Sequence, residues 1–205
     1  MILRLIGSLA ALLVCQIVLY FGCECFQKKF HDVLRPADAK IPFVEWTALI
    51  YVLWFPLIAL LPLALYAAEP MAYARYFPAM ALEVIVSVVC YLVYPTTFTR
   101  PTPSDTLAGK LMKMVYSGSF RGVNCAPSLH CSSCYLAIIS AVTCAGMPMA
   151  LRVLAIAVSA GIVISTMTTK QHTLLDALTA IPVALVCWLI GELLPATGLI
   201  AWIAG

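Results

Sequence analysis

Six long apolar stretches, separated by short polar segments, constrain the fold of this chain more than any other feature. A helix needs about 20 apolar residues to cross the ~30 Å hydrocarbon layer of a bilayer, and most of the stretches approach that length. Of all residues, 63% are hydrophobic and 10% are charged, whereas soluble domains have about 25% charged residues. The pattern therefore predicts a polytopic membrane protein.

The predicted fold is all-α, with a single membrane domain over residues 1–205 and six transmembrane helices. The spans are expected at about 2–21, 46–67, 76–94, 127–144, 150–168 and 172–193. Two prolines are expected to kink the second span. In the 95–126 loop, Ser104 and Asp105 are expected to cap an amphipathic helix at the interface. The third to sixth spans would form the catalytic core.

Two histidines begin two of these spans, each within a short polar motif. His130 ends the Pro-Ser-Leu-His segment 127–130, and His172 begins the segment 172–176, which ends in Asp176. The histidines are 42 positions apart, which corresponds to about 63 Å of helix and is enough to cross the bilayer and return. Both imidazoles are therefore expected at one membrane face.

These residue types at this spacing indicate phosphoryl transfer through a histidine nucleophile. His172 and Asp176 share one helix face, so the carboxylate can accept the Nδ1–H of the imidazole and leave Nε2 free to attack phosphorus. His130 is the candidate acid for the leaving oxygen, and Ser128, at a helix start, is a candidate phosphate ligand. Arg100, on the same face, can hold two phosphate oxygens. The alternative is that His172 and Asp176 form a buried polar pair that only joins helices.

The motifs resemble those of the type 2 phosphatidic acid phosphatase superfamily, over about residues 95–180. The family has three segments, Arg-Pro, Pro-Ser-x-His and Ser-x₆-His-x₃-Asp, which correspond here to residues 100–101, 127–130 and 165–176. The resemblance implies a membrane lipid phosphatase or phosphotransferase. The resemblance also implies a role for each motif residue. His172 would be the nucleophile, Asp176 its partner and His130 the general acid, with Arg100 and Ser128 as phosphate ligands.

Two positions depart from the family pattern, and they determine where replacement cations are expected. A lysine usually stands seven residues before the arginine of the first segment, where this chain has Val93. An arginine usually follows the serine of the third segment, where this chain has Thr166. Lys170 and Arg121 are expected to supply the missing charge to the phosphate. The Lys-Gln-His form of the third segment, at 170–172, is more similar to the branch that contains inositol-phosphorylceramide synthases.

Three functions follow as hypotheses. The first is hydrolysis of a phosphate monoester or diphosphate lipid, such as phosphatidate, phosphatidylglycerophosphate or a polyprenyl diphosphate, through a phosphohistidine. The second is transfer of a phospho-headgroup to another lipid, as from phosphatidylinositol to ceramide, by the same histidine. The third is a non-catalytic lipid carrier.

No cofactor and no metal is expected. Cys131 and Cys134 have metal-like spacing, but no second pair of ligands accompanies them in the sequence. Nucleic acid is not expected as a partner, because the basic residues lie in short loops between spans and form no stripe. The expected partner is a phosphorylated lipid in the bilayer.

The membrane side of the motifs is also predicted. Of the twelve lysines and arginines, nine lie on the motif side, which by count alone favours a cytoplasmic site. Several of these would bind phosphate, so their number does not report orientation, whereas Arg4 and the α-amino group favour a cytoplasmic N-terminus. The resemblance implies an exoplasmic catalytic face. We therefore expect a multi-pass protein, of the inner membrane if the protein is bacterial, with its site on the exoplasmic or periplasmic side.

Overall fold

A computed structural model describes residues 1–205, and its helices follow the apolar runs of the sequence. The helices are α1 (Ile2–Glu24), α2 (Ala48–Tyr51), α3 (Trp54–Ala68), α4 (Pro70–Val93), α5 (Leu107–Ser117), α6 (Leu129–Thr143), α7 (Met149–Thr168), α8 (Leu174–Leu193) and α9 (Ala196–Ala204). Two short strands, β1 (His31–Asp32) and β2 (Thr96–Thr97), complete the fold. Five helical segments are long and apolar enough to cross a bilayer, namely α1, Glu45–Ala68 (which contains α2 and α3), α4, α7 and α8. The predictions of an all-α fold and of a multi-pass membrane protein are confirmed at this level.

The predicted fourth span is shorter than expected. Helix α6 has 15 residues, so it is about 22 Å long and falls short of the ~30 Å hydrocarbon layer. It begins at Leu129 rather than Pro127, because Ser128 is its N-cap and accepts the N–H of Cys131 at 3.2 Å. Helix α6 packs against α4, α7 and α8, which makes it an inner helix of the bundle.

The second predicted span is interrupted near its start. Helix α2 ends at Tyr51, and α3 begins at Trp54. Pro56 has no N–H to donate, and its ring would clash with the carbonyl of Val52 four residues earlier, so a regular helix cannot continue through this point. Pro56 thus lies in the first turn of α3, where a proline is tolerated, whereas Pro62 lies in the interior of the same helix. The break leaves Tyr51 and Trp54 at neighbouring helix ends, where both line the cavity described below.

The amphipathic helix of the 95–126 loop is present as α5, but its cap differs from the predicted one. Thr106 is the N-cap, and its Oγ1 accepts a backbone N–H at 3.1 Å. Ser104 lies before the helix and donates its hydroxyl to the Glu45 carboxylate at 2.7 Å. Asp105 pairs with a lysine of the helix. Because the hydroxyl of Ser104 is hydrogen-bonded to Glu45, the N-cap of α5 is Thr106, two residues later than Ser104.

The core lies where α4 packs against α3, α6 and α8. Its largest buried side chains include Tyr73, Tyr76 and Leu136. Glu83 lies among them in the middle of α4, fully buried, and accepts the hydroxyl of Ser133 on α6 at 2.7 Å. A carboxyl group at this depth is costly unless it is paired, so this hydrogen bond joins two inner helices.

Three loops meet on one side of the bundle. Strand β1 in the first loop pairs in parallel with β2 in the 95–126 loop, with His31 opposite Thr96. Lys170, in the turn between α7 and α8, donates to the main-chain oxygens of Asp38 at 2.8 Å and Ile41 at 2.6 Å in the first loop. All three predicted motifs end at this face.

Candidate active site

A cavity of about 320 Å³ lies between the helix ends and the loops, and it contains both motif histidines. Arg100, His130 and His172 all line this cavity. The ring centroids of the two histidines are 5.5 Å apart. The structure thus brings together three predicted site residues that are distant in sequence.

His172 lies in the turn before α8, and its ring is held from the Nδ1 side. Nδ1 is 3.1 Å from the main-chain oxygen of Cys125 and 3.4 Å from Oδ2 of Asp176. Because a carbonyl and a carboxylate both accept hydrogen bonds, the proton belongs on Nδ1 and the lone pair on Nε2. The prediction paired the ring with Asp176, which is close, but the carbonyl of Cys125 is the nearer acceptor.

Asp176 also stabilises the start of α8. Its Oδ2 accepts the N–H of Thr173 at 2.7 Å, and Oγ1 of Thr173 accepts the N–H of Asp176 at 3.4 Å. This reciprocal pair is a capping box. Asp176 is fully buried, and its Oδ1 has no partner. One carboxylate therefore couples the position of the His172 ring to the start of a helix.

His130 is held by aromatic rings. It stacks on Tyr51 with ring centroids 4.7 Å apart and lies 4.3 Å from the ring of Trp54. It sits in the first turn of α6, and its neighbour Leu129 also lines the cavity. The N-terminal end of α6, which carries a partial positive charge, is therefore at the cavity wall. These contacts leave the ring nitrogens of His130 free to exchange a proton with a ligand.

Three buried N–H donors line the cavity without a hydrogen-bond partner. They are Nε of Arg100, Nε2 of Gln171 and Nε1 of Trp54. Leaving such a group unsatisfied costs about 1–3 kcal/mol, so buried polar groups are nearly always paired in folded proteins. All three groups donate, and the ligand that satisfies them must be rich in acceptor oxygens. A phosphoryl group meets this requirement.

Hydrogen bonds through Ser119 hold the side chains of Arg100 and Gln171 in place. Nη1 of Arg100 donates to the main-chain oxygen and to Oγ of Ser119, at 3.0 Å each, and its guanidinium lies 5.2 Å from the ring centroid of Tyr116. Oγ of Ser119 donates in turn to Oε1 of Gln171 at 3.0 Å. The amide oxygen is thus occupied, and the amide nitrogen is left without a partner. Sequence reasoning missed Gln171, whose only signal was its position directly before His172.

Three predicted phosphate ligands do not reach the cavity. Ser128 is fully buried as the cap of α6, and its N–H donates to the main-chain oxygen of Asp176 at 3.1 Å. Arg121 donates to the main-chain oxygen of Glu24 at 2.7 Å and lies 3.3 Å from its carboxylate. Lys170 binds the first loop. Arg121 and Lys170 are expected from the sequence to supply charge to the phosphate, but neither residue lines the cavity, and each donates to acceptors elsewhere.

The backbone explains why Gln171 rather than Lys170 faces the cavity. Lys170 has a φ of 52°, in the left-handed region, and the chain reverses there between α7 and α8. The lysine extends towards the first loop, while the next residue lines the cavity. Burial lowers the pKa of Lys170, and the nearby carboxylate of Asp38 acts in the opposite direction.

Two further groups beside the site are kept neutral by burial. Burial raises the pKa of the Cys125 thiol far above its usual range, and the negative charge of Asp176 adds to the effect. Cys125 therefore acts through its carbonyl and not as a thiolate. Burial also raises the pKa of Tyr116 to about 12, so its phenol is neutral and donates to the main-chain oxygen of Thr169 at 2.9 Å.

Most of the cavity wall is apolar. Of its 19 lining residues, 12 are hydrophobic. Helix α1 contributes Ile17 and Phe21, α3 contributes Phe55, and α5 contributes Met114 and Val115. The cavity wall therefore includes residues of the first two spans and of α5, outside the third to sixth spans to which the predicted catalytic core was assigned.

Comparisons with protein-family models, with curated proteins and with solved structures gave no match. The chemistry that the cavity offers consists of a basic nitrogen on His172, a second imidazole 5.5 Å away, and N–H donors without partners. These groups stand at one end of an apolar space.

Proposed function

We propose that this protein is an integral-membrane lipid phosphatase that works through a phosphohistidine on His172. One observation carries the proposal. His172 has Nδ1 against two acceptors and Nε2 free, and it shares a cavity with His130 and with three unpartnered N–H donors. Phosphoryl transfer requires an oriented nucleophile, an acid for the leaving group and donors for the phosphoryl oxygens.

In the first step, the Nε2 lone pair of His172 forms a bond to phosphorus while the bond to the lipid oxygen breaks. His130, in its protonated form, gives its proton to that oxygen, and the leaving group is an alcohol when the substrate is a monoester and a lipid monophosphate when it is a diphosphate. The carbonyl of Cys125 and the carboxylate of Asp176 stabilise the positive charge that develops on the ring. Arg100 and Gln171 donate to the phosphoryl oxygens.

In the second step, a water molecule attacks phosphorus. His130, now neutral, takes a proton from this water, and the bond between phosphorus and Nε2 breaks. Inorganic phosphate and free His172 result. In this scheme no metal or cofactor takes part.

The apolar wall supports a lipid as the substrate, with its phosphate at the histidines and its hydrocarbon between α1, α3 and α5. The substrate class is a phosphate monoester or diphosphate lipid. In a bilayer, the short inner helix α6 would be the sixth membrane helix, beside five full-length spans. The loop face with the site would lie on the exoplasmic or periplasmic side, with the N-terminus in the cytoplasm.

The test is an assay of the full chain in detergent with ³²P-labelled phosphatidate and labelled polyprenyl diphosphate, with His172→Ala as the control. Release of inorganic phosphate by the wild type alone supports the proposal. A new labelled lipid, formed only when an acceptor lipid is added, would instead identify a phospho-headgroup transferase. If labelled lipid is bound but never converted, the protein is a carrier and the proposal is wrong.

A further inference from the structure

Gln16 is a polar residue inside the first membrane-spanning helix. It is 4% exposed and lines the same cavity as the two histidines. Its Oε1 is buried without a hydrogen-bond partner. Gln27, also buried, likewise has an Oε1 without a partner, but its Nε2 donates to Asn124 at 2.6 Å and to the main-chain oxygen of Tyr91 at 3.0 Å. Gln16 makes no hydrogen bond through either amide atom and, unlike Gln27, lines the cavity. The amide of Gln16 is thus not explained by contacts within the protein.

Gln16 lies about two helical turns before the loop-side end of α1. Helix α1 ends on the loop side at Glu24, eight residues later, which is about 12 Å along the helix axis. Tyr20, one turn nearer to the loops on the same face, lines the cavity as well. A lipid with its phosphate at His172 therefore extends past Tyr20 and brings the region between phosphate and hydrocarbon chains towards Gln16.

The chemistry of the amide limits what this region of the lipid contains. An acceptor such as Oε1 is satisfied by an N–H or O–H group, whereas the amide nitrogen is satisfied by a carbonyl or hydroxyl oxygen. A polyprenyl chain offers neither, and the esters of a diacylglycerol offer only acceptors. An N-acyl amide with a neighbouring hydroxyl offers both.

Resting on the function proposed above, we infer that Gln16 is a specificity-determining residue that binds the linkage region of the substrate. It favours phosphorylated lipids that carry a hydrogen-bond donor next to the chains, with amide-linked long-chain phosphates as the preferred class. A site that is built to hydrogen-bond one group discriminates strongly against analogues that lack it, because its own polar atoms then stay unpaired.

The experiment compares three substrates, ceramide 1-phosphate, phosphatidate and a polyprenyl phosphate, on the wild type and on Gln16→Met. Methionine has nearly the length and shape of glutamine but forms only weak hydrogen bonds. We expect the wild type to prefer ceramide 1-phosphate in kcat/KM, and the preference over phosphatidate to fall by about tenfold in Gln16→Met, as one lost hydrogen bond would produce. Cys15→Met is the matched control, because Cys15 is the neighbouring residue and is exposed.

A binding measurement separates this inference from the proposed function. In the His172→Ala background, the Kd ratio of the same lipids reports the linkage preference without turnover. If the ratio depends on Gln16 while the wild type hydrolyses nothing, the phosphatase proposal fails and the specificity role stands. If the wild type hydrolyses lipids but neither the kcat/KM ratio nor the Kd ratio changes in Gln16→Met, the specificity role is wrong.

Discussion

Nδ1 of His172 lies 3.1 Å from the main-chain oxygen of Cys125, closer than its 3.4 Å separation from the carboxylate of Asp176. The two acceptors come from different parts of the chain, one from the loop before α6 and the other from the first turn of α8. A main-chain oxygen persists whatever side chain occupies its position. The orientation of the imidazole is therefore expected to survive the loss of the carboxylate.

From this relationship we predict that Asp176→Asn slows turnover without abolishing it. The carbonyl of Cys125 keeps the ring in place, while the charge that stabilises the cationic intermediate is lost. A charged interaction of this kind contributes about 1.5–3 kcal/mol, so kcat is expected to fall about ten- to hundredfold. Thr173→Ala is the control, because it breaks the same capping box without touching the ring. That variant should lose about 1 kcal/mol of stability and keep a near-normal kcat, whereas equal kcat losses in both variants would mean that Asp176 acts only through the helix.

His172→Ala is expected to lower turnover by at least about a hundredfold, because the nucleophile is gone and only binding groups remain. Brief incubation with ³²P-labelled substrate, followed by denaturation at alkaline pH, should give an acid-labile label on the wild type and none on this variant. His130→Ala should bind lipid normally but form the labelled enzyme slowly. Turnover of His172→Ala within tenfold of the wild type would assign the nucleophile to another residue.

Arg100→Lys is expected to lower kcat/KM by about ten- to hundredfold. The guanidinium uses Nη1 for Ser119, and its Nε is left without a partner in the protein, so a single ammonium cannot replace both groups at this geometry. Arg121→Met removes a cation of the same loop that binds Glu24 instead, so it should leave kcat/KM within about twofold of the wild type. The reverse order of effects would require a phosphate site built around Arg121.

Chelators are expected to leave turnover unchanged. In the proposed scheme, Arg100, Gln171 and the start of α6 stabilise the phosphoryl oxygens that a divalent cation would otherwise bind. The assay is hydrolysis in 5 mM EDTA (on the order of a thousandfold above trace metal), with MgCl₂ or ZnCl₂ added back. A strong loss in EDTA that either metal restores would contradict the scheme.

The side of the membrane can be tested with a single cysteine at Leu107, in a background without native cysteines. Leu107 is 87% exposed at the start of α5. The neighbouring Gly109 is unsuitable, because a side chain there would collide with the main-chain oxygen of Ser104. We expect Leu107→Cys to react with a membrane-impermeant maleimide in intact cells, and Met149→Cys, at the start of α7, to react only after lysis. The opposite pattern would place the site in the cytoplasm.

The sequence predicted the parts of the fold that depend on local pattern. Apolar periodicity located α1, α7 and α8 within about three residues at each end. It missed the first turns of α4, which begins at Pro70 rather than 76, because Arg75 made that segment look polar. In the structure Arg75 pairs with Glu192, a contact that only the folded bundle provides.

At the site, the sequence located residues that are close because they are close in the chain. His172 and Asp176 are of this kind, although His172 lies in the turn before α8 and not on the same helix as the prediction had it, and so is His130 in the first turn of α6. It could not locate Gln171, nor the true partners of Lys170, because those depend on a chain reversal and on contacts across the three loops. Charge in a sequence indicates which side chains can bind an anion, but not which acceptor within the protein lies nearer.

Lys170 is hydrogen-bonded to two carbonyls of the first loop, more than 100 residues away in the chain. The turn that carries the histidine is therefore supported by a loop that lies outside the three segments carrying the family resemblance. A fragment from residue 95 onwards would contain each signature residue but would lack the first loop, to which Lys170 is hydrogen-bonded. The motifs therefore depend on a part of the chain that lies outside them. A substitution at Asp38, whose side-chain Oδ1 accepts the N–H of Leu174 at 2.7 Å, would be judged neutral from the motifs alone, yet it would remove a second contact that supports the turn carrying His172.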